Sequence, residues 1–333
     1  MSTTEHSFAQ YVRIIGKGKH THRSLTYEEA YAAFTHILRG EVEDIQLGAF
    51  LLLMRVKGEE VVEMAGFAKA AQDFIQAPPI TVDIDWPSYA GKHKQQPWYL
   101  LAAFLLAANG HRIFMHGSSH QSAGRLFTST VLGNLGISLC HDWAAVQTQL
   151  DTRSFAYAPL SHVCAPLDQL FSWRPLLGVR SPAHSLVKLV NPLKATLGLQ
   201  SVFHPAYLEI HQQAALLLHQ PRTLVMKGEG GEMEFRPDAD NRLLLLEGTR
   251  TWGEKWNRTQ ARRQPDLDST ALSAESLRNL WTGKTEDPYG LDAILGTVAM
   301  ILFAGGYSAS KDEAWELAAQ YWQNRPPQDF LSH

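Results

Sequence analysis

Hydrophobic positions near the start of the chain recur at helical spacing. Ala30, Phe34, Ile37 and Leu38 fall on one face of a helix that Gly40 ends. Thr26-Tyr-Glu-Glu29, just before them, has the pattern of a capping box, with Glu29 placed to reach back to the cap. Residues 45–54 and 61–74 predict two more apolar helices, separated by Lys57-Gly58. Pro78-Pro79 closes this stretch and marks a linker or hinge. Beyond it the pattern alternates. Residues 100–108 and 126–135 predict helices, and 111–115 and 223–227 predict short strands with glycine-containing turns after them. Residues 292–303 and 312–321 predict late helices, and Asn324-Arg-Pro-Pro-Gln328 predicts a frayed tail. Strands alternating with helices imply a mostly parallel sheet covered by helices. The expected fold class is α/β, with a helical cluster before the linker and alternating strands and helices after it.

Composition narrows the class. The chain has 333 residues, of which 45% are hydrophobic and 19% charged, and this excludes wholesale disorder, collagen and a long coiled coil. Two cysteines, Cys140 and Cys164, exclude a disulfide scaffold and a four-cysteine zinc site and are expected to be small core residues. No basic stretch followed by an apolar one opens the chain, so no signal peptide is expected. The longest apolar run, residues 98–108, falls short of the roughly 20 residues of a membrane helix. A cytoplasmic protein without a membrane partner is expected.

Charge changes the picture more. The net charge is −3, which by itself speaks against nucleic acid. Its distribution speaks the other way. Residues 6–27, 86–141 and 169–208 contain no Asp or Glu in 118 residues, yet keep 12 Lys or Arg. Residues 248–265 add Arg250, Lys255, Arg258, Arg262 and Arg263 against Glu254 alone. The balancing acid is concentrated at 28–85 and 266–333. These windows are expected to converge on an anion-binding face.

Several motifs resemble one family. Leu25-Thr-Tyr-Glu-Glu-Ala30, Gly40-Glu-Val-Glu-Asp-Ile-Gln-Leu-Gly-Ala-Phe50, Met54-Arg-Val-Lys-Gly-Glu59 and Ala65-Gly-Phe67 resemble the helical domain of anthranilate phosphoribosyltransferase, a glycosyltransferase of family 3. Arg174-Pro-Leu-Leu-Gly-Val-Arg180, Asn191-Pro-Leu193, Val202-Phe-His-Pro205 and Val225-Met-Lys-Gly228 continue the resemblance, which spans roughly 20–325 in consistent order. It implies a small all-helical domain over 1–78, joined by roughly 168–195, a larger α/β domain over 79–333 with a mostly parallel sheet, a cleft between the two, and a homodimer formed through the helical domain. It also implies that Arg174 matches a substrate-contacting arginine.

The chemistry-bearing motifs depart from that family. Where the enzyme wraps pyrophosphate in a glycine-rich loop ending in Asp, this chain reads Tyr89-Ala-Gly-Lys-His-Lys-Gln-Gln-Pro-Trp98. Lys-His-Gly-Asn becomes Met115-His-Gly-Ser118, and the acidic magnesium motif becomes Gly228-Glu-Gly-Gly-Glu-Met-Glu234, its carboxylate pair interrupted by Met233. Phosphoribosyl transfer needs Mg²⁺ on the leaving pyrophosphate and carboxylates to hold it. The sequence therefore resembles a branch of the family that binds nucleic acid instead. No cofactor is expected; Mg²⁺, through Glu229, Glu232 and Glu234, belongs only to the alternative of an active phosphoribosyltransferase.

The candidate phosphate contacts are Lys17 and Lys19 on an N-terminal arm with His20, His22 and Arg23; Gly91, Lys92, His93 and Lys94 in the altered loop; and His116, Arg125, Arg174, Arg258, Arg262 and Arg263. Tyr89, Trp98 and Trp256 are the candidates for stacking on bases. The blander readings are a solvated turn for the lysines and core positions for the aromatics. His116 and His120 have a spacing that suits a metal pair, but no carboxylate in that window completes a site. No catalytic or metal-ligating residue is assigned.

Overall fold

The capping box forms as the sequence predicts. Thr26 Oγ1 accepts the Glu29 N–H at 3.2 Å, and Glu29 Oε2 accepts the Thr26 N–H at 2.9 Å. The protein, seen here as a computed structural model, is described over residues 5–18, 21–118, 120, 124–261, 267 and 272–326. Four helices open the chain: α1 (Ala9–Gly16), α2 (Tyr27–Leu38), α3 (Asp44–Lys57) and α4 (Val61–Phe74). Helix α1 is absent from the sequence reading. It buries Phe8, Tyr11 and Ile15 with Phe50 of α3, where aromatic edges meet at 5.3–5.5 Å. A buried ion pair fastens this layer: Glu63 accepts the Leu25 N–H at 2.8 Å and Lys57 Nζ at 2.7 Å. Leu167, Leu170, Phe171, Ala183 and Leu186 share the same buried cluster.

The larger part is built on a seven-stranded sheet. Its strands are β1 (Ile84–Pro87), β2 (Ile113–Gly117), β3 (Phe155–Pro159), β4 (Leu197–Val202), β5 (Arg222–Lys227), β6 (Asn241–Glu247) and β7 (Arg250–Trp256). They lie in the order β3-β2-β1-β4-β5-β6-β7, parallel from β3 to β5 and antiparallel thereafter. Between β1 and β2 runs α5 (Trp98–Ala108), whose Trp98 to Ala107 are all buried, as expected of a helix apolar on every face. The helix Pro288–Gly305 packs against it. That helix is long and apolar enough to cross a membrane, but 67% of it is buried inside this core.

Two expectations are corrected here. Residues 250–256, expected as part of a basic nucleic-acid-facing loop or helix, form the outer strand of a hairpin, paired residue by residue with β6; Arg250 and Lys255 are exposed on opposite faces, and Trp256 is buried. The segment Asn324–Pro326 is tied down, with the Trp281 indole N–H donating to Pro326 O at 3.0 Å and Arg325 lying 3.8 Å over the Trp322 ring.

Strand β1 is the point where successive connections leave in opposite directions, to β2 on one side and β4 on the other. In open α/β sheets the crevice at the carboxyl ends of such strands is where ligands bind. The loops starting at Ser88, Ser118, Phe203 and Gly228 all rise from that edge.

Candidate functional site

Those loops border a cleft of about 640 Å³. Arg174, Arg180, His184 and Lys188 line it together with Tyr89, Phe127, the half-exposed Phe203 and Gly230-Gly231. No carboxylate lines it among the described residues. Arg180 has its guanidinium pushed below its ordinary value by burial, then by Arg174, Arg125 and Arg55. An arginine remains charged regardless, so the shift reports crowding of like charge. Lys188 is buried and donates to Gly231 O at 3.1 Å and to Ser201 O; burial pushes its ammonium down to about 8. His184, half-buried, is pushed down to about 4 by burial first and then by Arg180, Arg174 and Lys188, and is neutral at pH 7.

The altered loop after β1 behaves differently from the sequence expectation. Gly91, at φ +66°, and Ala90 both donate backbone N–H to Glu232 Oε1 at 2.7 Å. A side chain at Gly91 would be strained and would sit 3.0 Å from Leu126 O. Lys92 does not face the cleft. Its Nζ is 2.5 Å from Glu234 Oε1, with both side chains at most 5% exposed, and its backbone pairs with Leu126 in both directions. Glu234 Oε2 in turn accepts the Tyr99 N–H at 2.8 Å, in the first turn of α5. That helix N-terminus, following the first strand at the switch point, is where an open α/β sheet would receive a phosphate. Here the chain's own carboxylate takes it. Burial raises the Glu234 carboxyl and Lys92 opposes the shift. Arg125 closes the arrangement from above, donating Nε–H to Ala90 O at 2.6 Å and Nη2 to Gly230 O at 3.0 Å.

Other candidates are also relocated. His116 is buried, with Nδ1 2.6 Å from Tyr89 Oη and Nε2 3.2 Å from Asp85. Both ring nitrogens are thereby used, so it orients Tyr89 and does not contact a phosphate. Tyr89 is 9% exposed and stacks on Phe171 at 5.7 Å, as a wall of the cleft and not as a free platform. Trp98 and Trp256 are each 2% exposed and belong to the core. His120 meets Asp168 at 3.4 Å, a carboxylate from outside the acid-free window. His93 and Lys94 are exposed, with His93 Nδ1 2.5 Å from Gly124 O. Arg23 on the N-terminal arm pairs with Glu29 at 2.6 Å, while Lys17 is exposed. Arg258 is exposed just past β7, at the same end of the sheet as the cleft. Lys19, His20, Arg262 and Arg263 lie outside the described residues.

Three cleft residues were not among the sequence candidates: Arg180 as a phosphate contact, Lys188 and Phe203. All three fall in the acid-free window 169–208, so the charge pattern held a signal for them.

A helical layer over an α/β sheet, with a cationic cleft at the switch point, is a phosphoribosyltransferase-like fold. The chain belongs to the glycosyl transferase family whose helical bundle domain matches residues 10–75 and whose a/b domain matches residues 99–324. It is 31% identical over 313 residues to the uncharacterized protein YbiB of Escherichia coli, covering 91% of this chain and 96% of that protein. It is 26% identical over 308 residues to anthranilate phosphoribosyltransferase of Oceanobacillus iheyensis, covering 90% and 89%. Among solved structures, anthranilate phosphoribosyltransferase of Thermus thermophilus aligns with TM-score 0.73 at 22% identity over 96% of this chain and 94% of that one. The Saccharomyces cerevisiae enzyme in complex with PRPP and Mg aligns with TM-score 0.75 at 17% identity, over the same 96% and 94%. These likenesses carry the fold.

The residues present do not fit a magnesium-held pyrophosphate. Glu234 is neutralised by Lys92 and spends its second oxygen on Tyr99. Glu232 spends one oxygen on the backbone of the loop that would have cradled the phosphates.

Proposed function

We propose that this chain is a cytoplasmic, non-sequence-specific nucleic-acid-binding protein that holds single strands by their phosphates in the cleft. One observation carries the reading. The helix N-terminus and carboxylates that would serve a phosphoribosyl donor are occupied from within by Lys92 and Glu234, while Arg174 and Arg180 face a cleft that no carboxylate lines among the described residues. Such a site attracts phosphate by charge, without a metal. Phe203, 50% exposed and lining the cleft, offers a ring for an unpaired base. Arg258 at the same end of the sheet extends the positive edge.

A mobility titration with single-stranded DNA, duplex DNA and RNA tests this. The log of affinity for a single strand is expected to fall with log salt by about 0.7 per phosphate neutralised. No binding at low salt, or binding indifferent to salt, refutes it. The second reading is phosphoribosyl transfer to anthranilate or a related acceptor. It is favoured by the names of the relatives and by the retained Arg174. Turnover with Mg²⁺ on the order of 1 s⁻¹ or more would promote it.

A homodimer through the helical domain belongs to the same proposal. Ile45, Leu52 and Val56 are exposed along one face of α3, two of them above 80%, and such a stripe suits a second copy. Ile45→Glu is expected to yield monomers in light scattering; an unchanged mass removes this face from consideration.

A further inference from the structure

We propose that the Lys92 ammonium is a resident substitute for a divalent cation, and that Glu232 and Glu234 form a latent metal site which Lys92 keeps closed. Lys92 Nζ sits 2.5 Å from Glu234 Oε1, with both groups out of solvent. The other oxygen of Glu234 is fixed by the Tyr99 N–H, so the carboxylate cannot turn away without leaving that donor unpaired. Glu232 is fully buried. Its Oε1 takes two backbone N–H groups, and its Oε2 has no hydrogen-bond partner among the described residues. Glu232 lies near enough to Glu234 to add to the cost of its charge, which burial chiefly sets. Two buried carboxylates two residues apart, one with an unspent oxygen, offer the oxygen ligands that a hard cation takes. A single ammonium supplies part of that charge permanently. It needs no metal from solution, and its reach is set by a chain segment locked to Leu126.

The consequence concerns a residue exchange, independent of what the cleft binds. Removing Lys92 should open the site to a divalent ion; keeping a cation there should not. The probe is Mn²⁺ alone, followed on the full chain by electron paramagnetic resonance and calorimetry. The wild type and Lys92→Arg are expected to bind no Mn²⁺ that Glu232→Gln abolishes. Lys92→Ala is expected to bind one equivalent, and Lys92→Ala/Glu232→Gln to lose it. If Lys92→Ala does not fold in metal-free buffer, refolding in Mn²⁺ but not in EDTA gives the same answer. The proposal is overturned if the wild type already holds one Mn²⁺ sensitive to Glu232→Gln. It is equally overturned if folded Lys92→Ala takes up no more than the wild type, or if that variant refolds in neither buffer.

Discussion

Two short basic segments border the same cleft and meet opposite fates. Gly91-Lys-His-Lys94 and Arg174 to Arg180 both lie in windows without Asp or Glu. In the fold, the first receives Glu232 and Glu234 from a turn some 140 positions later, and Lys92 disappears into an ion pair. The second meets no carboxylate partner among the described residues and stays exposed beside Arg125 and Arg55, close enough for like charges to perturb Arg180. A stretch free of acid along the chain is thus not free of acid in space. What counts is which turns the sheet order brings to one edge. Here β1 neighbours β4 and β4 neighbours β5, so the loops after β1 and β5 meet.

The comparison breaks most sharply on stability. Lys92→Ala leaves the Glu234 charge buried without its partner. Breaking such a pair costs about 3–5 kcal/mol, read as a lowered urea midpoint. The double variant Lys92→Met/Glu234→Gln keeps an acceptor for the Tyr99 N–H and removes both charges, so most of the loss should be recovered. Arg174→Ala should stay within about 0.5 kcal/mol of wild type, because the exposed Arg174 side chain makes no hydrogen bond or ion pair among the described residues. Equal losses at Lys92 and Arg174 would erase the distinction.

On binding, the order reverses. Phe203→Ala is expected to cost about 1–3 kcal/mol of single-strand affinity if one base stacks there, with less effect on duplex. A uniform loss on both would assign Phe203 a packing role. Arg174→Ala/Arg180→Ala should lower the salt slope on a single strand by up to about 1.4, one phosphate for each. An unchanged slope with a folded double variant moves the phosphate path toward Arg258.

These contrasts also mark what could be read from the residues. The helices were legible because Ala30, Phe34 and Leu38, or Trp98 through Ala108, declare burial by periodicity or by unbroken apolarity. Strands β5 and β2 were legible in part. The hairpin of β6 and β7 was not, because Arg250, Lys255 and Glu254 on an outer strand look like any solvated face. An edge strand carries such charges to deter pairing with another chain. Trp98 and Trp256 were candidates for base stacking because lysines or arginines flank them, with core positions as the blander reading, and the fold takes the core positions. Strand and helix geometry sends neighbouring side chains to opposite sides, and both indoles went inward. The cationic cleft was legible as charge bias, yet its members were misassigned, since the pairing of Lys92 depends on a partner over a hundred residues away.

The smallest effect tests whether the buried wall of the cleft senses the ligand's charge. Lys188 is pushed down to about 8 chiefly by burial, with Glu232 opposing the shift and Arg180 reinforcing it. His211, packed behind it, is pushed down to about 3 by burial and then by Lys188, and His184 to about 4, so both are neutral from pH 6 upward. Below about 8 the Lys188 ammonium is charged and attracts a phosphate; above it the amine is neutral and the attraction is gone. A bound phosphate favours the charged form, so binding takes up protons in this range. Affinity is therefore expected to be level up to about pH 7 and to fall as pH rises through about 8. The loss should not exceed that of one phosphate contact, about 0.7 in salt slope. Lys188→Gln should flatten the profile at the weaker level. Lys188→Arg, charged throughout, should flatten it at the stronger one if the longer side chain is accommodated beside Gly231 and Ser201. A profile that still falls through pH 8 in Lys188→Gln would assign the titration to another group and leave Arg174 and Arg180 as the charge that matters.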